Sequence, residues 1–305
     1  MAGSSDPHAL VVQIERLIQV DVGRNITGLF DAARGGLSGA ASSLAAEPGR
    51  VGLITGFYVP QASPPAAETD GPVGTALLAK GFAAIGIPCR VATDEPCRSA
   101  CAAALAGAGL PDVPIDVVAI GSPLTPLIET WREAGIMHAI SIERCGRSTD
   151  GVPRNMRGQD ISSYTAPLDD LFAAGPWATI AVGDGGNEIG MGAIPRSLIA
   201  RHVTHGEAIA CVTAAQHLIV AGVSNWGAYA LIGALAALRE DWRRRLLACL
   251  EEDLDRAVLA ATVEHGPAVD GVSLQRASTV DNLDIAAHHH ILGEIRTLIE
   301  RGHVI

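Results

Sequence analysis

Lysine is almost missing from this chain: of 22 basic residues only Lys80 is lysine, and the others are arginine. Schiff-base enzymes and Walker A loops each need a lysine in the site. Lys80 stands in Ala76-Leu77-Leu78-Ala79-Lys80-Gly81-Phe82, which predicts an ordinary helix. No pyridoxal phosphate (PLP) cofactor is therefore expected. Extended basic runs are also lacking, and the net charge is -11 with a pI near 5.3. A nucleic-acid partner is not expected, because phosphate backbones are bound by clustered Lys and Arg. The six cysteines form no CxxC pair and no zinc-finger spacing, which argues against a disulfide scaffold or a structural zinc and for buried thiols. GxSxG, HExxH and Rossmann GxGxxG motifs are missing, so serine hydrolase, zincin and NAD-binding readings lose their usual signals. The first residues have no basic n-region, and Glu15 and Arg16 interrupt the run Val11-Val12-Gln13-Ile14; no secretory signal is read and a cytoplasmic protein is expected. There is no internal repeat and no low-complexity tail.

One stretch mimics a membrane span: Ala208 to Leu238 holds no Asp, Glu, Lys or Arg. It divides at Ser224-Asn225-Trp226-Gly227, which reads as a helix start, and Ile209-Ala210-Cys211-Val212 ahead of it predicts a buried strand. Two core elements of a parallel-sheet protein give the same hydropathy as a bilayer helix, so no membrane association is expected. Further apolar runs occur at Val51–Thr55, Cys89–Thr93, Ile115–Ile120, His138–Ile142 and Thr179–Val182, with helical patterns between most of them. That alternation predicts an α/β fold: a mainly parallel sheet of about six strands covered by helices on both faces. Extra helices are predicted at the two ends, near Pro7–Gln19, over Asp241–Glu264 and over Ala286–Arg301. The chain is read as one α/β domain over 1–305, with an N-terminal helical segment 1–48 and a C-terminal helical segment 241–305. The apolar, glycine-rich composition is compatible with a homo-oligomer.

The polar clusters fall just after the expected strands. They are Glu68-Thr69-Asp70-Gly71, Asp94-Glu95, Glu143-Arg144-Cys145-Gly146-Arg147, and above all Gly183-Asp184-Gly185-Gly186-Asn187-Glu188. Open parallel sheets bind ligands outside the carboxyl ends of their strands, so these loops are expected to converge on one crevice. Several carboxylates in one pocket cannot all stay ionised without a cation. The oxygen donors of Glu68, Asp70, Asp94, Glu143, Asp184 and Glu188 suit a divalent metal, magnesium or manganese rather than zinc. The alternative for these carboxylates is helix capping and pairing with Arg144, Arg147 or Arg157. His288-His289-His290 cannot ligate one ion together, since successive helical residues point in different directions; a solvated surface with one inward histidine is expected. His217 is read as a core histidine.

Several stretches together resemble the D-glutamate cyclase family, in its C-terminal cyclase-like domain. They are Glu68-Thr69-Asp70-Gly71-Pro72, Asn155-Met156-Arg157-Gly158 with Asp160-Ile161, Gly183 to Gly192, and Ser224-Asn225-Trp226-Gly227-Ala228-Tyr229. The order of the remaining segments extends the resemblance over almost the whole chain, which reads as the cyclase-like part alone. Val152-Pro153-Arg154 stand where aromatic residues are expected. The resemblance implies a lyase (hydro-lyase) that converts D-glutamate to 5-oxo-D-proline, which in better-known members serves a mitochondrial D-amino-acid pathway. On that basis Asp184 and Glu188, with Asp70 or Glu143, are the candidate metal ligands, and Asp184, Glu188 and Glu143 are the candidate catalytic residues. Glu68, Thr69, Asp94, Arg147, Asn155, Arg157, Asn187 and Asn225 are the candidate residues for a small amino-acid substrate, with Arg147 or Arg157 clamping its α-carboxylate. Two other readings stay open: metal-assisted hydrolysis of a small phosphate ester, and a non-catalytic amino-acid-binding protein.

Overall fold

The computed structural model describes residues 6–302. Eight strands are present: β1 Arg50–Thr55, β2 Tyr58–Val59, β3 Ala66–Ala67, β4 Cys89–Asp94, β5 Ile115–Val118, β6 Ile136–Ile142, β7 Ala178–Gly183 and β8 His217–Val220. Six of them form one parallel sheet in the order β5-β4-β1-β6-β7-β8, and β2 and β3 form a small antiparallel hairpin. The inner strands are apolar on both faces because helices cover both. From β1 the chain first builds outward through β4 to β5. It then returns to the other side of β1 and builds through β6, β7 and β8. The strand order therefore reverses between β1 and β6, which is where such sheets open a crevice at their carboxyl edge.

One face is covered by the helices Pro7–Ile18, Gly36–Ala46, Pro72–Ala84, Ser224–Leu238 and Ile285–Arg301, whose buried residues join those of the strands in the larger core. Ser224–Leu238 is the centre of that layer. It is buried all round, apart from partly covered Leu238, as expected of a helix with no polar face. The terminal helices pack on it, Pro7–Ile18 through Leu10, Val11, Ile14 and Ile18. Trp131, Phe172, Trp177 and Ile199 lie in the core of the opposite face.

Three sequence expectations need correction. The sixth strand is His217–Val220 rather than Ile209–Val212. Ile209 ends a short helix, Gly206–Ile209, and Cys211 and Val212 spend their N–H groups on the Gly186 and Arg147 carbonyls. The run is apolar because Ile209, Ala210 and Cys211 pack in the core of the second face, which periodicity cannot tell from a strand. The span Asp241–Glu264 is two helices, Glu240–Leu247 and Glu252–Glu264, broken around the buried Cys249 and Leu250. Two histidines face inward rather than one: His288 accepts from Trp226 Nε1 at 2.9 Å, and His289 lies 3.3 Å from both Glu252 and Asp255. His217, at the start of β8, is half-buried. No helix among the described residues is long and apolar enough to cross a membrane.

Candidate functional site

The strand register decides which side chains meet. Ile142 of β6 lies opposite Thr55 of β1 and Val182 of β7, so Glu143 and Asp184 emerge side by side on one rim. Glu143 does so with φ 43°, a left-handed conformation that is costly for a residue with a Cβ and is tolerated mostly where a side chain must be aimed. After β1 the β2–β3 hairpin folds back along the rim and delivers Glu68, Thr69 and Asp70. The next residue must be glycine. Gly71 has φ 90°, and a Cβ there would lie 2.8 Å from Thr55 Oγ1 and 2.9 Å from Glu143 Cβ.

Asp70, Glu143 and Asp184 each offer an oxygen within 4.8 Å of the others, and this is the one acidic or metal-ligating group of that compactness among the described residues. Two helix N-termini hold it. Asp70 accepts from Ser224 N (3.0 Å) and Asn225 N (2.8 Å), Asp184 also accepts from Ser224 N (3.0 Å), and the Ser224 hydroxyl donates to Glu143 at 2.5 Å. In return, Asn225 Oδ1 accepts from Gly71 N and Gly74 N at the start of Pro72–Ala84. The positive ends of two helix dipoles thus face the carboxylates and offset part of their repulsion.

In front of this group lies a cavity of about 230 Å³, with Arg24, Tyr58, Glu68, Glu143, Asp184 and Asp281 among its walls and Asn155, Met156 and Arg157 at its side. That is below the usual range for drug-sized ligands, and it suits a small metabolite. Glu68 reaches it past Gly271, where a Cβ would lie 2.1 Å from the Glu68 carboxylate. Burial, followed by Asp281 and Asp184, holds both Glu68 and Asp70 well above the usual carboxylate range. Burial and Asp184 do the same to Glu143. Asp184 is raised by burial against the pull of Arg24, and Asp281 is raised to about 6 for the same reason. The Arg24 guanidinium is the one basic group among these five carboxylates. It pairs with Asp184 and, at 2.6 Å, with Asp281. Burial opposes its charge, but Asp184 and Asp281 outweigh that and raise its pKa.

Residues 14–296 match the family described as D-glutamate cyclase-like, C-terminal. The chain belongs to this family. Within it, 122 residues, 39% of the chain, are 43% identical to the human protein D-glutamate cyclase, mitochondrial. The matched part spans 18% of that relative's length.

Of the residues expected from sequence, the family fold brings Glu68, Asp70, Glu143 and Asp184 together, with Asn155 and the exposed Arg157 on the cavity wall. Thr69 and Asn225 lie just behind them in structural bonds, Thr69 donating to Thr279 O at 2.9 Å. Glu188 is corrected as a metal ligand. It folds back on its own loop, where its carboxylate accepts from Asp184 N (3.0 Å), Gly185 N (2.6 Å) and Gly186 N (2.7 Å), and it stands outside the Asp70–Glu143–Asp184 group. Asp94 is turned away to pair with Arg144 at 2.6 Å. Asn187 donates to Arg154 O at 2.8 Å. Arg147 pairs with Asp170 and lines a separate cavity with Asp169. Arg24 and Asp281 were missed, because neither follows a strand. Their only sequence signal is a turn pattern, Asp21-Val22-Gly23-Arg24-Asn25 and Asp281-Asn282.

Proposed function

We propose that the cavity takes an acidic amino acid and is the site of a lyase reaction, the cyclisation of D-glutamate to 5-oxo-D-proline with loss of water. The observation that carries this is the convergence of Asp70, Glu143 and Asp184 at the strand-order reversal, facing a small cavity with an arginine, in a chain of this family. The human relative's name supplies the reaction.

The donor set fits a hard divalent cation such as magnesium or manganese. All three donors are carboxylates, and of the five carboxylates two, Asp184 and Asp281, are paired with the Arg24 guanidinium. Asp70, Glu143 and Asp184 would hold it. Such an ion supplies Lewis acidity toward a carboxylate oxygen. The protein's own groups account for the rest. In the reaction the amine nitrogen forms a bond to the side-chain carboxylate carbon, Cδ, and one oxygen of that carboxylate leaves. Both protons lost by the ammonium depart with that oxygen as water. Glu68, outside the three-carboxylate group but on the cavity wall, would take a proton from the ammonium and pass it to the leaving oxygen, and burial holds its pKa above the ordinary carboxylate range. The helix N-terminus at Ser224 keeps Asp70 and Asp184 fixed while charge moves.

The test is incubation of the purified protein with D- and L-glutamate, with manganese or with EDTA, reading 5-oxoproline and, in parallel, phosphate release from small phosphate esters. Oxoproline formed from D-glutamate and lost with EDTA supports the proposal. Phosphate release without oxoproline refutes it.

A further inference from the structure

Arg24 occupies the centre of the acidic cavity, yet the turn that carries it is built as if for another purpose than closing an ion pair. Asp21 Oδ1 accepts three successive N–H groups, those of Gly23 (3.0 Å), Arg24 (2.7 Å) and Asn25 (3.1 Å). Both neighbours of Arg24 have left-handed backbones, Gly23 at φ 99° and Asn25 at φ 61°. Asn25 Nδ2 donates to His202 O at 3.1 Å, and Ile18 O accepts from Gly222 N at 2.8 Å, close to the Ser224 helix start. On the far side, Asp281 has φ 55° and Asn282 φ 60°, and Asn282 N is held by Asp270 at 2.7 Å. Two strained turns from opposite ends of the chain therefore meet over the cavity through one ion pair. Left-handed backbone at non-glycine residues such as Asn25, Asp281 and Asn282 collects where a side chain must be held in place for a ligand.

The partners of Arg24 are unequal. Asp281 belongs to no other group of ligands. Asp184 is shared, because it is also one of the three carboxylates that converge behind the cavity. A divalent cation among those three would compete with Arg24 for the Asp184 oxygens and repel the guanidinium. Asp281 would still tether it.

We propose that Arg24 is the carboxylate-recognising residue of the cavity and that it couples the cation to the anionic guest. Without the cation, its fork is split between Asp184 and Asp281. With the cation on Asp70, Glu143 and Asp184, the freed N–H donors of Arg24 point into the cavity and take a carboxylate of the amino acid. The inference rests on the amino-acid reading of the cavity given above. Coupling of this type is reciprocal: D-glutamate should tighten the cation by the same factor as the cation tightens D-glutamate.

The experiment is calorimetric titration of the full chain with Mn²⁺, with and without D-glutamate, for wild type, Arg24→Met and Arg24→Lys. In wild type, D-glutamate should raise the Mn²⁺ affinity. Arg24→Met removes the competing charge, so Mn²⁺ alone should bind roughly tenfold tighter, while D-glutamate should bind about 30-fold or more weaker and no longer change the Mn²⁺ affinity. Arg24→Lys keeps the charge and so guards against misfolding of the methionine variant. It should leave Mn²⁺ binding near wild type but weaken D-glutamate through loss of the planar fork. Mn²⁺ affinity that falls or stays level in Arg24→Met, with D-glutamate binding intact, overturns the proposal and makes Arg24 a structural strut. If wild type binds no D-glutamate, the substrate reading fails instead, and the tenfold change in Mn²⁺ affinity still tests the exchange at Asp184.

Discussion

Two buried charge clusters stand side by side on the same rim of the sheet, and consecutive residues, Glu143 and Arg144, feed one each. Arg144 turns toward β4 and meets Asp94 one to one at 2.6 Å through Nη1, which also donates to Gly56 O (2.8 Å), while Nη2 donates to Ala166 O (2.6 Å). Both side chains are at most 1% exposed. Glu143 turns the other way, into a group with Glu68, Asp70, Asp184 and Asp281, of which Asp184 and Asp281 pair with Arg24, while the exposed Arg157 lies on the cavity wall. A buried pair that balances its charge calls for no further ion. A buried group that leaves its charge unbalanced costs stability unless something else arrives, and that imbalance is what supports the proposed cation and small guest at the second cluster.

The sharpest way to break this contrast is to remove one charge from each cluster. Asp184→Asn should lower oxoproline formation by on the order of a thousandfold or more, since a ligand oxygen carrying full charge is lost. Its folding stability should move by no more than about 1 kcal/mol, because repulsion among the remaining carboxylates is relieved. Chemical denaturation and an activity assay on the same preparation decide it. Wild-type activity in this variant would remove Asp184 from the mechanism. Arg144→Leu should do the reverse. It strands Asp94 in the core at a cost of about 3 to 5 kcal/mol in the same denaturation experiment, whatever the substrate. A loss below about 1 kcal/mol would show that the pair is not structural.

Legibility in the sequence follows the same division. The strands from β1 to β7 of the main sheet could be read because their apolar runs are bounded by polar loops, and the carboxylates on those loops could be placed because parallel strands share a carboxyl edge. Arg24 and Asp281 could not be placed this way. They come from turns outside the βα units, set by backbone conformations at Gly23, Asn25 and Asp281 that leave only a faint mark in residue type. Glu188 misled for the opposite reason. It stands in the most conspicuous motif, but the adjacent glycines expose backbone N–H groups that need an acceptor, and Glu188 supplies it. Ile209–Val212 misled because burial alone makes a run apolar, with or without a sheet.

The unbalanced cluster should also reveal itself through protons. Its carboxylates have folded-state pKa values above those of the unfolded chain, so the folded protein binds more protons in a window that opens at the ordinary carboxylate range and that for Asp281 closes near pH 6. Stability in EDTA should therefore be highest below that window and fall as pH rises through it. For Asp281 alone the fall is on the order of 3 kcal/mol. Manganese competes with the protons, so the stabilisation it gives should grow over the same interval. Melting temperatures at pH 5 and 7.5, with EDTA and with Mn²⁺, read both slopes. A flat curve in EDTA would mean that the charges are balanced after all.

The smallest effect belongs to Arg147, which the sequence offered as a substrate clamp alongside Arg157. Its side chain is 36% exposed and pairs with Asp170 at 2.6 Å, in a cavity lined by Ile120, Pro153, Ala166 and Asp169 rather than by the acidic group. Screened pairs of this kind contribute about 0 to 1 kcal/mol. Arg147→Ala should change the melting temperature by a degree or two at most and leave the KM for D-glutamate unaltered. Arg157→Ala, on the wall of the acidic cavity, should raise that KM severalfold. The two arginines lie ten residues apart in one connection between β6 and β7, so an equal response would place the substrate across both cavities and make the structural separation of the two clusters irrelevant to binding.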